Sequence, residues 1–270
     1  MKILAVQLNL KNCKSHSEFI AYIESEVFEK IDHGTDLIVF PENINLCLLN
    51  AKEEISVSSY KTRFENFVDK ILQSLNLRWI LAKQNLSLQK AIILCSFITM
   101  AKKYNVNVIT GSFYDEIDGD IYNSIYAIDR NGLIISKASK KDLVGLEKAF
   151  KIKSKIENTI AEFDFGKVGM CICFDLNDKE YISKYKCDIL VAPSNGWRLF
   201  PGYPFDFKTE TPQIQRAQEN NFPIVRPYCA GWLGILYFSG RSMTVDKHGQ
   251  IINTSKTRNK TELLINDINI

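Results

Sequence analysis

DLIVFPE, residues 36–42, is the stretch that decides the fold. Its four consecutive apolar residues predict a strand from Asp36 to Phe40 that is buried on both faces. Pro41 cannot donate a backbone hydrogen bond to a neighbouring strand, so the strand must end there. Glu42 follows at the rim of an apolar core. Partial removal from water there makes a carboxylate more ready to accept a proton, which favours a role as general base. A solvated glutamate at the start of a loop is the alternative.

Similar apolar runs, rich in β-branched residues, alternate with segments of helical spacing along the first half of the chain, which predicts mixed α/β structure. The Asn131-Gly132 pair favours a tight turn with positive φ and so an antiparallel hairpin. Residues 50–90 fit either short helices or an inserted lid. The predicted elements are strands at 2–8, 36–40, 106–113, 122–129 and 133–137, and helices at 16–31 and 90–104.

The second half of the chain is richer in strands. Thr211-Pro212 fits a helix N-cap followed by proline at the first helical position, and this helix should run to Asn220. Many strands with few long helices predict two sheets packed face to face with helices outside. The other predicted elements are a hairpin of 159–165 with 167–173 and strands at 188–192, 224–229, 237–245, 250–254 and 262–267.

Length and composition limit the possible classes. A chain of 270 residues with 46% apolar and 24% charged residues is ordinary for a globular protein, and residues 1–270 are expected to form one domain. The net charge of +3 is spread without a basic block, so no nucleic-acid partner is predicted. Apolar runs shorter than the ~18 residues of a membrane span predict no membrane partner. Seven irregularly spaced cysteines and a start unlike a signal peptide predict a cytoplasmic protein with reduced thiols.

Cys173 ends the apolar run Val168-Gly169-Met170-Cys171-Ile172-Cys173. A strand end can expose a nucleophile on a rigid support, which makes Cys173 a candidate. Because free cysteine is among the most buried residue types, a small hydrophobic core residue is the alternative. Lys140 lies after the strand at 133–137 among other lysines, so a solvated turn competes with any catalytic role.

None of the three histidines is placed to activate a thiol. His16 lies at a polar helix start, and His33 and His248 each precede a glycine in a turn. A carboxylate base with a nearby ammonium is another physical solution. The carboxylate takes the thiol proton, and the ammonium stabilises both the thiolate and the later oxyanion.

Three segments carry a resemblance to a known family: residues 36–42 with Glu42, residues 140–147 with Lys140 and Glu147, and residues 169–176 with Cys173. In order and approximate spacing they resemble the catalytic segments of the nitrilase superfamily, the carbon–nitrogen hydrolases. Further similar segments are Gly111-Ser112, 122–124, 216–220 and 240–242. The resemblance thus extends over nearly the whole chain, with Asp142 in a position where the family often has histidine.

The resemblance implies a four-layer α-β-β-α sandwich that pairs with a second copy as a homodimer or larger homo-oligomer. It implies Glu42 as general base, Cys173 as nucleophile and Lys140 as the cation on the oxyanion side. Glu147 would brace the lysine or position substrate, and the backbone N–H of Phe174 would complete the oxyanion hole. The implied reaction is cysteine-dependent hydrolysis of a non-peptide C–N bond, an amide or N-carbamoyl group, through a thioester, without cofactor or metal. Acyl transfer by the same thioester and nitrile hydrolysis are the alternatives.

The substrate pocket is predicted from residues after the strand at 188–192. Asn195 and Trp197 are candidates for its wall, and Arg198 could bind a substrate carboxylate through its planar guanidinium. Tyr228 could line the acyl pocket. Core packing for the aromatic residues and a surface position for Arg198 are the alternatives. The aromatic stretch 199–207 fits a lid, a pocket wall or a subunit contact.

Overall fold

The computed structural model describes residues 1–48, 86–198, 210–234 and 236–268. Most of the stretch 50–90 and all of the aromatic stretch 199–207 lie outside the described residues, as does the side chain of Arg198. The described helices are α1 (His16–Glu26), α2 (Leu86–Tyr104), α3 (Gly145–Ala149), α4 (Lys179–Ser183) and α5 (Glu210–Asn220), with 3-10 segments at Phe28–Lys30, Ile44–Leu48 and Cys173–Asn177.

The described strands form two sheets. The strands are β1 (Lys2–Asn9), β2 (Leu37–Val39), β3 (Asn107–Ile117), β4 (Asp120–Ile128), β5 (Ile134–Ser139), β6 (Thr159–Phe163), β7 (Gly166–Met170), β8 (Ile189–Val191), β9 (Trp197–Arg198), β10 (Ile224–Arg226), β11 (Cys229–Leu233), β12 (Leu236–Ser239), β13 (Met243–Val245), β14 (Ile251–Thr254) and β15 (Glu262–Asp267). The larger sheet has the order β5-β4-β3-β2-β1-β11-β12-β9, with β15 also paired to β1, and the smaller sheet has the order β14-β13-β10-β8-β7-β6.

Alternating side chains on these strands divide the core into layers. One face of the larger sheet packs against α1 and α2 through residues such as Ile38 and Phe97. Its other face meets the smaller sheet, where Val39 and Val191 share a cluster. The far face of the smaller sheet packs on α4 and α5, for example through Leu190. The predicted α-β-β-α sandwich is therefore confirmed.

Two predicted strands are each divided between the sheets. The prediction of one strand at 237–245 is wrong, because β12 lies in the larger sheet and β13 in the smaller. Gly240 (φ +65°) and Arg241 (φ +81°) turn the chain between them, and neither conformation continues a strand. The predicted strand at 224–229 similarly divides into β10 and the start of β11.

Two predicted turns also differ in detail. Helix α5 begins at Glu210, so Thr211 and Pro212 lie inside its first turn. Proline is tolerated there because the first helical N–H groups have no acceptor within the helix. In the β4–β5 connection only Gly132 of the Asn131-Gly132 pair has positive φ, at +79°. Asp129 Oδ1 instead accepts hydrogen bonds from the backbone N–H groups of Asn131 and Leu133.

All seven cysteines are free thiols. In the described parts of the chain, no helix is both long and apolar enough to cross a membrane. Strand β1 lies between β2 and β15, and residues 2–7 pair antiparallel with residues 262–267. Strand β1, near the centre of the larger sheet, therefore pairs with residues 37–39 on one side and with residues 262–267 on the other.

Gly111 lies in β3 where this strand continues beyond the end of its neighbour β2. Its φ is +70°, and a Cβ there would lie 2.1 Å from the carbonyl oxygen of Pro41. Gly111→Ala should therefore lower the free energy of unfolding by about 1–3 kcal/mol from backbone strain, with a further loss from the clash. Gly119→Ala is the matched control, because Gly119 has φ +82° and open space around it. Urea unfolding would compare the two, and equal losses would show that the contact with Pro41 is unimportant.

Candidate active site

Glu42 lies just beyond the end of β2, on the rim between the two sheets. Its backbone N–H donates to the carbonyl oxygen of Ser194 at 3.4 Å, and its side chain is 1% exposed. Oε1 accepts hydrogen bonds from Lys140 Nζ at 2.7 Å and Asn123 Nδ2 at 3.0 Å. Oε2 is buried and accepts none from the described residues. One carboxylate oxygen is thus fixed, and the other is available to take a proton.

Lys140 follows β5 and is 2% exposed. Its backbone N–H donates to the carbonyl oxygen of Asn123 at 2.8 Å. Its ammonium lies between two carboxylates, 2.7 Å from Glu42 Oε1 and 2.9 Å from Glu147 Oε2. Burial alone would lower the pKa of Lys140, but the negative charges of Glu42 and Glu147 hold that pKa well above its ordinary value. The lysine is therefore a permanent buried cation.

Glu147 lies in the short helix α3 and is 3% exposed. Its Oε2 accepts the backbone N–H of Val144 at 3.0 Å, besides binding Lys140. Its Oε1 accepts a hydrogen bond from Asn123 Nδ2 at 3.0 Å. Since Asn123 Nδ2 also binds Glu42, the asparagine holds the two carboxylates on either side of the lysine.

Cys173 follows β7 with φ +50°, a left-handed conformation that is uncommon for a residue with a Cβ. Such strain is characteristic of functional turns that present a side chain. Its backbone N–H donates to the carbonyl oxygen of Pro193 at 2.9 Å, and the 3-10 segment 173–177 begins at this residue. Phe174 comes next, with a 47% exposed side chain, so its N–H lies in a first helical turn, where donors have no acceptor within the helix.

The thiol of Cys173 is neutral in the resting site. Burial raises its pKa to about 12, and the negative charge of Glu42 adds to that shift, while Lys140 and Arg226 act in the opposite direction. A thiolate at this position therefore requires a base that accepts the proton. The resting arrangement combines a thiol, an acceptor carboxylate and a buried ammonium.

Pro193 and Ser194, after β8, connect Cys173, Glu42 and Arg226. Pro193 accepts the N–H of Cys173 and Ser194 accepts the N–H of Glu42. The Ser194 hydroxyl accepts a hydrogen bond from Arg226 Nε at 2.9 Å. Arg226 is 6% exposed, and its guanidinium lies 5.1 Å from the ring centroid of Tyr228. A second cation thus acts on the thiol from the smaller sheet.

Removing this cation should make Cys173 less reactive. Arg226→Gln takes away a positive charge that lowers the pKa of the thiol, so at any pH less thiolate is present. We expect alkylation by iodoacetamide at pH 8 to be several-fold slower, and the rate to rise with pH toward the pKa of about 12. Arg226→Lys keeps the charge and should remain close to the wild-type rate. Equal rates for the Gln and Lys variants would contradict the electrostatic role.

The predicted substrate residues lie in different surroundings. Asn195 is 8% exposed and follows Ser194 directly. Tyr228 is 3% exposed and forms a β-bridge with Ser194, close to Arg226. Trp197 packs, partly buried, against the core between the larger sheet and helices α1 and α2. The burial of Trp197 favours the core-packing alternative, whereas Tyr228 lies beside the groups that surround Cys173.

Several polar residues of the site received no role from the sequence. Asn123, Ser194, Arg226 and Asp175 are all buried. Asn123, Ser194 and Asp175 form hydrogen bonds with the segments that carry Glu42, Lys140 or Cys173, and Arg226 binds Ser194. Tyr114, 4% exposed, is in the electrostatic field of Glu147, Lys140 and Glu42, and burial raises its pKa above the ordinary range. Asn123 and Asp175 had a usable signal, since each lies in a segment that resembles the family.

A family model described as carbon-nitrogen hydrolase matches residues 3–270. This chain belongs to the carbon–nitrogen hydrolase family. The predicted family is therefore confirmed, and with it the prediction of a carbon–nitrogen hydrolase rather than a protein of another class.

Curated members of the family resemble parts of the chain. A probable hydrolase, YhcX, from Bacillus subtilis is 28% identical over 180 residues, 67% of this chain and 31% of its own length. The 2-oxoglutaramate amidase of the same organism is 28% identical over 155 residues, 56% of this chain and 58% of its own length. The chain thus matches about a third of the first protein and somewhat more than half of the second.

Solved carbon–nitrogen hydrolases have the same fold. The enzyme from Helicobacter pylori G27 superposes with a TM-score of 0.72 at 20% identity, covering 100% of this chain and 90% of that one. An amidase from Nesterenkonia sp. AN1, as a glutamate-to-glutamine mutant, superposes with a TM-score of 0.74 at 14% identity, covering 98% and 89%. That mutant carries the acetamide moiety of fluoroacetamide, added covalently at its active-site cysteine.

Proposed function

We propose that this protein hydrolyses an amide or N-carbamoyl C–N bond of a small molecule through a thioester on Cys173. The observation that carries the proposal is the positive-φ turn of Cys173, whose thiol lies in the electrostatic field of a buried carboxylate–ammonium pair, Glu42 and Lys140. Two similar proteins, the 2-oxoglutaramate amidase of Bacillus subtilis and the enzyme from Nesterenkonia sp., are amidases. The thiol of the latter reacts with a small amide, which supports a cysteine nucleophile here.

In the first half-reaction Glu42 takes the proton of the Cys173 thiol as the sulfur attacks the carbonyl carbon. A neutral thiol with a pKa of about 12 requires such a base, because little thiolate is present beforehand. The negative charge that develops on the carbonyl oxygen is stabilised by the Lys140 ammonium and the Phe174 N–H. Protonated Glu42 then gives its proton to the leaving nitrogen, and ammonia or an amine departs.

The second half-reaction releases the acid. Glu42 takes a proton from water, the hydroxide attacks the thioester carbon, and the oxyanion forms again beside Lys140. When the C–S bond breaks, the sulfur takes the proton back from Glu42. Glu147 remains bound to Lys140 throughout, so the ammonium keeps its orientation.

A screen for ammonia release tests the proposal. We expect the wild-type protein to release ammonia from one of four classes, ω-amides, N-carbamoyl compounds, simple amides and nitriles, and Cys173→Ala to release none. Ammonia release by Cys173→Ala at the wild-type rate would overturn the proposal. Adding hydroxylamine distinguishes acyl transfer, because a transferase converts most of the thioester to hydroxamate even at low acceptor concentration, whereas a hydrolase yields mainly acid.

The remaining expectations stay predictions. They are a single domain over residues 1–270, a homodimer or larger homo-oligomer, a cytoplasmic location and a substrate contact by Asn195, Trp197, Arg198 or Tyr228. Sedimentation of the purified protein tests the homodimer. Substitution of Tyr228 by phenylalanine and of Asn195 by alanine tests the contacts, since loss of a substrate contact raises KM more than it lowers kcat.

A further inference from the structure

Asp175 is a buried carboxylate that binds only backbone N–H groups in the described structure. Its side chain is 1% exposed. Oδ1 accepts hydrogen bonds from the N–H of Lys141 at 3.1 Å and of Asp142 at 2.6 Å. Oδ2 accepts the N–H of Ile172 at 2.9 Å. Three donors thus converge on one side chain.

These donors belong to the two halves of the proposed site. Lys141 and Asp142 directly follow Lys140, which leaves the larger sheet at the end of β5. Ile172 directly precedes Cys173, which leaves the smaller sheet at the end of β7. One carboxylate therefore joins the segment that carries the cation to the segment that carries the thiol, across the space between the sheets.

Only an acceptor with two free oxygens meets all three donors. An asparagine can turn its oxygen toward Lys141 and Asp142 or toward Ile172, but its NH2 group then faces a backbone N–H on the other side. Burial raises the pKa of Asp175 to about 7, while the hydrogen bonds from Asp142 and Ile172 lower it. The N–H groups therefore partly offset the cost of burying this charge.

A second link between the same segments lies nearer the surface. Lys141 Nζ binds Asp178 Oδ2 at 2.6 Å, and the side chain of Lys141 is 18% exposed. Asp178 also caps α4 by accepting the N–H of Tyr181 at 3.0 Å. An asparagine at this position keeps the cap, because asparagine is as good an N-cap as aspartate.

We propose that Asp175 is a positioning residue, whose carboxylate holds the Lys140 segment in register with the Cys173 turn so that the ammonium meets the oxyanion formed at Cys173. The proposal rests on the proposed function, because it assigns Lys140 to that oxyanion. Asp175 lies beyond the reacting atoms and acts through the two backbone segments that it joins. Its loss should therefore affect the transition state more than the binding of substrate.

The test compares Asp175→Asn with Asp178→Asn. We expect Asp175→Asn to lower kcat by about 10–100-fold, since small misplacements of a catalytic group are costly, while KM changes less than about threefold. Asp178→Asn should keep kcat within about twofold of wild type, because it loses only a partly exposed ion pair outside the proposed site. Equal kcat values for the two variants, or a loss confined to KM, would overturn the proposal.

Two further measurements keep the result interpretable. In the wild-type protein the amides of Lys141, Asp142 and Ile172 should exchange slowly with deuterium although they lie outside helices and strands, and fast exchange would overturn the proposal even if Asp175→Asn failed to fold. Lys140→Met serves as the reference for the reaction itself. If Lys140→Met keeps wild-type turnover, the proposed function fails; if it loses turnover and Asp175→Asn does not, only the positioning role fails.

Discussion

Glu42→Gln is expected to lower amide turnover about 10³-fold, the range of a lost general base, while Cys173 still reacts with an added electrophile. Glutamine has the same shape, so its oxygen can still accept hydrogen bonds from Lys140 and Asn123, which bind Glu42 Oε1. The variant has no carboxylate to take the thiol proton or to activate water. Because the negative charge of Glu42 helps to raise the pKa of Cys173, its removal makes the thiolate easier to form.

Two measurements on the same protein separate these effects. Ammonia release gives turnover, and intact mass after incubation with iodoacetamide gives labelling, with Cys173→Ala identifying the labelled residue. Retention of wild-type turnover would exclude Glu42 as the base. Loss of both turnover and labelling would indicate that the substitution disturbs the Cys173 turn, rather than removing a proton acceptor.

Lys140→Met should affect both catalysis and stability. We expect kcat to fall about 10²–10³-fold, as for other oxyanion donors. The free energy of unfolding should fall by about 3–5 kcal/mol, because removing one partner of a buried ion pair leaves its counter-charge unpaired. Here two carboxylates are affected, since Glu42 and Glu147 are 1% and 3% exposed and both bind the ammonium.

Lys137→Met is the matched control for this substitution. Lys137 also pairs with a buried carboxylate, Asp115, at 2.7 Å, but Asp115 keeps a second lysine, Lys90, at 2.9 Å. Urea unfolding should therefore show a much smaller loss for Lys137→Met. If the two variants lose the same free energy, the Lys140 cluster contributes no more than an ordinary ion pair.

The parts of the site that follow from local pattern could be predicted from the sequence. The apolar runs before Glu42 and Cys173 do form strands, which end at Val39 and Met170. Both residues therefore follow the end of a strand, as expected. The joint resemblance of three segments, rather than any one residue, predicted that Lys140 would accompany them. A buried lysine at 2% exposure could not be expected from its lysine-rich surroundings.

Other features depend on contacts between residues far apart in the sequence. Asn123 binds Glu42 across 81 positions, and Arg226 binds Ser194 across 32. Hydropathy pattern alone shows neither contact, because each requires the relative placement of separate strands. The division of 237–245 between two sheets was missed for the same reason, since β12 and β13 both have strand-like composition and only their partners differ.

The pairing of β1 with β15 has a consequence for the order of assembly during synthesis. Residues 2–7 lie against residues 262–267, so this part of the β1 edge has no partner until residues 262–267 have left the ribosome. An unpaired strand edge can associate with other chains, and long-range pairing is slow to form. The larger sheet, which supports Glu42 and Lys140, is thus completed after the smaller one. During synthesis, Cys173 is present before the sheet that holds Glu42 has formed completely.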